Sequence, residues 1–117
     1  MVVFEGHKKH WGLPGGAPEE GENLEDAIKR EVLEEANMQI ISLRPIGYQK
    51  STDEDGNYIY QLRYVCKVKA FGEFKNDPDG DIVEIKLINP HTYKQYFDWG
   101  EIGERIMERA AQLKATI

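Results

Sequence analysis

Within Gly16–Met38, GAPEEGENLEDAIKREVLEEANM, three glutamates must share one face of a helix, and no other stretch constrains this chain as tightly. Asn23 is a plausible N-cap, with Asp26 three residues on as a capping-box partner, and the predicted helix runs to about Ala36. At 100° per residue, with Leu24 at zero, Ile28 and Val32 fall on an apolar stripe. Glu31 and Glu35, at about −20° and 20°, fall within that stripe, and Glu34 falls at about −80°. Carboxylates three and four residues apart on a helix repel one another, and burying one without a partner costs several kcal/mol. A solvated acidic face would be the ordinary explanation of a Glu-rich run. Carboxylates inside the apolar stripe are explained more cheaply by coordination of hard cations, which prefer such oxygens.

The spacing adds to this. Gly16, Glu22, Arg30, Glu31, Glu34 and Glu35 fill six of the seven fixed letters of the pattern Gly-x5-Glu-x7-Arg-Glu-U-x-Glu-Glu-x-Gly-U, where U is aliphatic. Val32 and Met38 fill the U positions. At about 1 in 15 per letter, six letters coincide roughly once in 10^7 windows, against on the order of 10^2 windows in a chain this long. The preceding Trp11-Gly12-Leu13-Pro14-Gly15 turn strengthens the match. The chain thus resembles the Nudix hydrolases, which cleave nucleoside diphosphates linked to another group. Asn37 replaces the last glycine of the pattern. It follows the final helical turn, where a left-handed residue is expected, and asparagine is second only to glycine there. A modest stability cost is expected.

Composition narrows the rest. With 117 residues, 40% hydrophobic and 31% charged, the chain is expected to form one soluble domain, residues 1–117. No run approaches a membrane span, none looks like a signal peptide, and the single cysteine, Cys66, excludes an internal disulfide. Cytoplasm is the expected compartment. Of the net charge of −6, all of it falls between Glu19 and Glu35, where eight acidic residues meet two basic ones. The remainder balances, and no basic patch points to duplex nucleic acid.

The order of elements reads as follows. A strand covers Met1–Phe4, a polar loop Glu5–His10, and a Gly/Pro-rich loop Trp11–Gly21. After the helix come strands at Gln39–Leu43 and Ile46–Ser51, an Asp55-Gly56 turn, a long alternating strand Tyr58–Phe71, a turn at Lys75–Asp81, and a strand Asp81–Ile88. Asn89-Pro90 caps a short helix. Asp98 caps a longer one ending near Lys114, with Ile102, Ile106, Ala110 and Leu113 as its stripe. The class is α/β, and the resemblance implies a Nudix-type α/β/α sandwich with a mixed sheet, lacking the family's usual first strand. Such a lack would expose a sheet edge that a homodimer could cover.

The resemblance also implies roles. Glu31, Glu34 and Glu35, with the main-chain carbonyl of Gly16, would bind Mg2+ or Mn2+. Arg30 would pair with and orient a box glutamate, and Glu22 would support the loop-to-helix junction. A carboxylate accepts the proton of the attacking water: Glu34 or Glu31 of the box, or Glu84 in the later strand, which otherwise reads as an exposed strand residue. Trp11 and Tyr64 can stack on a base and Lys9 can meet phosphate, although core packing and plain surface charge explain the same three residues. The proline that accompanies ADP-ribose hydrolysis is missing from Thr52–Glu54, and the tyrosine of dinucleoside polyphosphate hydrolases from Glu54–Gly56. A small-molecule nucleotide substrate remains: a triphosphate, an oxidised nucleotide or a nucleotide sugar. A silent nucleotide-binding module, an acidic interaction domain and an RNA 5′-end pyrophosphohydrolase are the alternatives.

Overall fold

Val2 and Val3 are the apolar residues on which the first sheet is built, and both are buried. They belong to β1 (Val2–Glu5), the central strand of a three-stranded sheet ordered β2-β1-β5 in the computed structural model, which describes residues 1–75 and 81–117. β2 (His10–Gly12) and β5 (Ile82–Lys86) both pair with β1 antiparallel, with Phe4 opposite Trp11 on one side and Glu84 on the other. The remaining strands, β3 (Met38–Thr52) and β4 (Tyr58–Ala70), are hydrogen-bonded neighbours in a second sheet. The α/β class therefore holds. The described strands form two sheets, and both pairings of the first are antiparallel.

Residue contacts gather into two compact units. The first comprises Met1–Ile40 with Val68–Asp98, and the second Ile41–Lys67 with Trp99–Ile117. The first unit holds a core of Val2, Val3, Ala27, Val32, Ala36, Met38, Ile40, Ile82, Tyr93 and Phe97. In the second, the buried apolar residue is Leu113, at the end of helix α2 (Gly100–Leu113), while Ile41, Tyr48, Tyr58, Tyr60 and Leu62 are exposed. None of the described helices is long and apolar enough to cross a membrane.

Local sequence rules explain most boundaries. Helix α1 spans Leu24–Ala36 and starts where the Asn23 side chain accepts the Asp26 N–H at 2.8 Å. The β3–β4 turn closes on Asp53, whose Oδ1 accepts the N–H groups of Asp55 and Asn57, with Gly56 at φ 82°. Asn89 accepts the His91 N–H and opens a short 3-10 helix at Pro90–Gln95. Three expectations need correction. His10–Gly12 is strand and not loop, because pairing with β1 extends it. Gln39–Leu43 and Ile46–Ser51 are one strand: Pro45 is tolerated because β3 is paired on one side only. Helix α2 has Trp99 and not Asp98 at its N-cap, with Gly100 at φ 64°. The turn expected at Lys75–Asp81 falls largely on residues 76–80, outside the described residues.

Asn37 closes α1 in the left-handed region, at φ 52° and ψ 41°. Its backbone N–H reaches Leu33 O, its carbonyl accepts the Phe71 N–H, and its side-chain amide donates to Glu73 O at 2.6 Å. Gly72 leaves room for that amide, since a Cβ there would lie 3.0 Å from Asn37 Nδ2. Asparagine thus ties the helix end to the segment after β4, a bond glycine cannot make. Asn37→Ala should lower stability by about 2 kcal/mol, the combined cost of a left-handed Cβ and a lost hydrogen bond. Asn37→Gly should stay within about 1 kcal/mol of the parent, because relief of the backbone offsets the lost bond. Urea unfolding midpoints measure both.

Candidate active site

The loop after β2 meets the middle and C-terminal half of α1, and Arg30 fastens the two together. Its Nε and Nη2 donate to the two oxygens of Glu22 at 2.9 and 3.0 Å, a bidentate pair between loop and helix. Its Nη1 donates to Glu31 at 2.8 Å and to Glu34 at 3.1 Å, and Nη2 also reaches the carbonyl of Ala17 at 3.2 Å. Glu22 accepts the Glu19 N–H as well, at 3.0 Å. One guanidinium therefore connects three carboxylates and the loop main chain. Lysine, with a single nitrogen, could not satisfy this set.

These bonds set the electrostatics. The hydrogen bonds from Arg30, then that from the Glu19 main chain, hold the Glu22 carboxyl below its ordinary value of 4.5. Glu22, followed by Glu31, holds the Arg30 guanidinium more firmly protonated than usual. Glu19, Glu22, Glu31 and Glu34 all lie within ion-pair distance of Arg30, so carboxylates outnumber the guanidinium that binds them.

The three α1 glutamates occupy different surroundings. The Glu34 side chain is 40% exposed and that of Glu31 16%. Glu35 is buried, and its Oε2 accepts the Gly15 N–H at 3.1 Å. Gly16 lies against Glu31 so closely that a Cβ would stand 2.5 Å from its carboxyl carbon. Only a glycine lets the loop main chain approach the carboxylate this far. The donor set consists of carboxylate and main-chain oxygens, which suits a hard divalent cation. Among the described residues no three acidic or His/Cys side chains converge as a preformed metal group. Glu31 and Glu34 are turned onto Arg30, and Glu35 onto Gly15. The donors fit a cation in kind, and Arg30 engages Glu31 and Glu34 through one oxygen each.

The other candidates lie elsewhere. Trp11, on β2, packs edgewise on Phe4 at 5.2 Å and on Tyr96 at 5.6 Å, and Lys86 Nζ lies 5.6 Å from the Trp11 and Tyr96 rings. Tyr96 and Lys86 were not legible as neighbours of Trp11, being far away along the chain. Lys9 is exposed in the β1–β2 turn at φ 55°, its N–H bonded to Glu5 O. Glu84 is exposed on β5, opposite Phe4 of β1. Tyr64 belongs to the second unit, half-buried on β4. The face it shares is not the uniform core that alternation suggests, since Tyr58 and Tyr60 are 64% and 59% exposed. Cys66 is half-buried on the same strand, and burial pushes its thiol up, as befits an unreactive cysteine.

Comparison with known proteins bears on the family and the fold. The NUDIX domain model matches residues 3–110. The crystal structure of a C. elegans Ap4A hydrolase binary complex superposes with a TM-score of 0.61 at 17% identity, covering 97% of this chain and 86% of that one. The structure of a MutT protein from Bacillus halodurans gives 0.54 at 24% identity, covering 70% of this chain and 56% of that one. At these identities the likeness is one of fold.

Two outcomes follow from the Arg30 junction. Because the Glu22 value is lowered on folding, its contribution is whole above the ordinary carboxylate value of 4.5 and is lost as pH falls through the lower folded value. Urea midpoints between neutral pH and the acid limb should therefore fall for the parent, while Glu22→Gln should lack that component. Gly16→Ala should push Glu31 off Arg30 and weaken Mn2+ binding by about tenfold or more, with the circular dichroism spectrum retained. Titration of Mn2+ by electron paramagnetic resonance measures the loss.

Proposed function

The chain belongs to the NUDIX domain family, and from that premise we propose that it is a divalent-metal-dependent pyrophosphohydrolase of nucleoside diphosphate-linked substrates. The substrate is a nucleoside triphosphate, an oxidised nucleotide or a nucleotide sugar, and residues 1–117 act as one catalytic domain. The observation that carries this reading is the junction in which Gly16 presses on Glu31 while carboxylates outnumber the guanidinium that binds them. Such an acidic site repels a polyphosphate unless cations reverse its sign.

Glu31, Glu34 and Glu35, with the carbonyl of Gly16, would hold Mg2+ or Mn2+. A bound cation lowers the pKa of water and neutralises charge on the phosphoryl oxygens. The remaining work falls to the chain itself. Water attacks phosphorus, the anhydride P–O bond breaks, and the leaving phosphate carries away the electron pair. Glu34, the most exposed of the three glutamates, accepts the proton of the water. Arg30 keeps Glu31 and Glu34 in place and, through Glu22, fixes the loop that carries Gly16. Glu31 and Glu84 are the other carboxylates of the first unit assigned to proton acceptance, should Glu34 serve only as a ligand. Trp11 offers an aromatic ring to the base, and Lys9 offers charge to a phosphate. The single half-buried cysteine suits a cytoplasmic enzyme.

A panel of canonical and oxidised triphosphates, nucleotide sugars, ADP-ribose and dinucleoside polyphosphates, with Mg2+ or Mn2+, identifies the substrate by product analysis. Metal-dependent release of a nucleoside monophosphate is expected. Glu34→Gln should lower kcat on the order of 10^2-fold or more, and Glu84→Gln should leave it within about threefold. The opposite ranking would move proton acceptance to Glu84. Nucleotide binding without turnover by the folded, metal-loaded parent would make the chain a binding module and end the enzymatic reading.

A further inference from the structure

The even balance of charge outside the acidic segment conceals a local excess of cations. In the second unit a cavity of about 410 Å³ opens between β3, β4 and one face of α2. Its charged lining is wholly basic: Lys50, Arg63, Arg105 and Arg109. Ile46, Ile102 and Ile106 supply apolar surface between them, and Ile102 is 46% exposed. A volume of this size accommodates a small organic ligand.

The partners of these cations matter more than their number. Arg105 is tied to Glu101 at 3.0 Å. The other three meet neutral groups. Arg63 donates to Gln49 at 3.0 Å and lies over the Trp99 ring at 5.0 Å. Arg109 donates to Gln112 at 3.3 Å, and Lys50 sits 3.8 Å over Tyr58. Among the described residues none of the three has a carboxylate within ion-pair distance. Arg63 is half-buried, and its Nε is buried with no acceptor. A half-buried guanidinium without a carboxylate partner is costly unless an anion pairs with it, and burial accordingly weakens its hold on its proton.

We propose that this cavity is a binding site for a small organic phosphate, its phosphoryl oxygens held by Arg63 and Arg109 and its apolar body lying on Ile102 and Ile106. Guanidinium groups match phosphate geometry, and the isoleucines favour a phosphate carrying an apolar group over the free ion. The site is made by residues other than those of the Arg30 junction, and it stands whether or not the chain hydrolyses nucleotides.

Phenyl phosphate and inorganic phosphate are suitable probes, because neither contains the phosphoanhydride that the proposed reaction cleaves. Titration by calorimetry in EDTA should give saturable binding of phenyl phosphate, about tenfold tighter than inorganic phosphate. Binding should weaken with added salt. Arg63→Met and Arg109→Gln should each weaken it by about tenfold or more, and Glu34→Gln should not change it. Arg109 is exposed, so its variant keeps the test informative even if Arg63→Met fails to fold. Absence of saturation up to roughly 10 mM, equal affinity in Arg109→Gln, or loss in Glu34→Gln would each overturn the site. Equal affinity for the two probes would overturn the assignment of an organic ligand.

Discussion

The guanidinium of Arg30 is the interaction on which the first unit's chemistry depends. It bonds Glu22 in the loop and Glu31 and Glu34 on the helix. Without it, a loop and a helix that both carry negative charge would separate, and the glycine–carboxylate contact at Gly16 would be lost with them. The pairing is strong because it is bidentate and charge-assisted at a junction where the side chains of Arg30 and Glu22 are only 21% and 16% exposed. Geometry secures what sequence proximity alone would not, since helical neighbours Glu31, Glu34 and Glu35 repel one another.

That repulsion works against concentrating the acidity on one helix. A helix stabilised only by packing would carry alanine or leucine at position 35, a buried site. Instead the carboxylate is kept and given a main-chain N–H. The same economy appears at Asn37, where a residue with a poorer left-handed fit than glycine is retained with a compensating bond to Glu73. In both cases an unfavourable local choice is supported by a contact distant in sequence.

How legible each part was follows from the range of the forces involved. The extent of α1, its Asn23 cap and its left-handed end at Asn37 were readable because they follow from backbone geometry within a few residues. The Asp53–Asn57 turn and the Asn89 cap were readable for the same reason. The extension of His10–Gly12 into a strand was not, because its hydrogen-bond partners lie in β1. Nor was the exposure of Tyr58 and Tyr60, since alternation predicts two strand faces but not which of them is covered.

The sequence by itself determined the loop–helix pattern of Gly16–Met38, the sharing of one helix face by its glutamates, and through that pattern the family. Helical periodicity is set by the backbone, so spacing along the chain becomes position around an axis. Only the tertiary structure decided which carboxylates Arg30 would hold, that Glu35 would be buried on Gly15, and that Lys50, Arg63 and Arg109 would gather around one cavity. Charges interact through space with a strength fixed by distance and burial. Neither quantity exists until strands and helices from separate parts of the chain have packed.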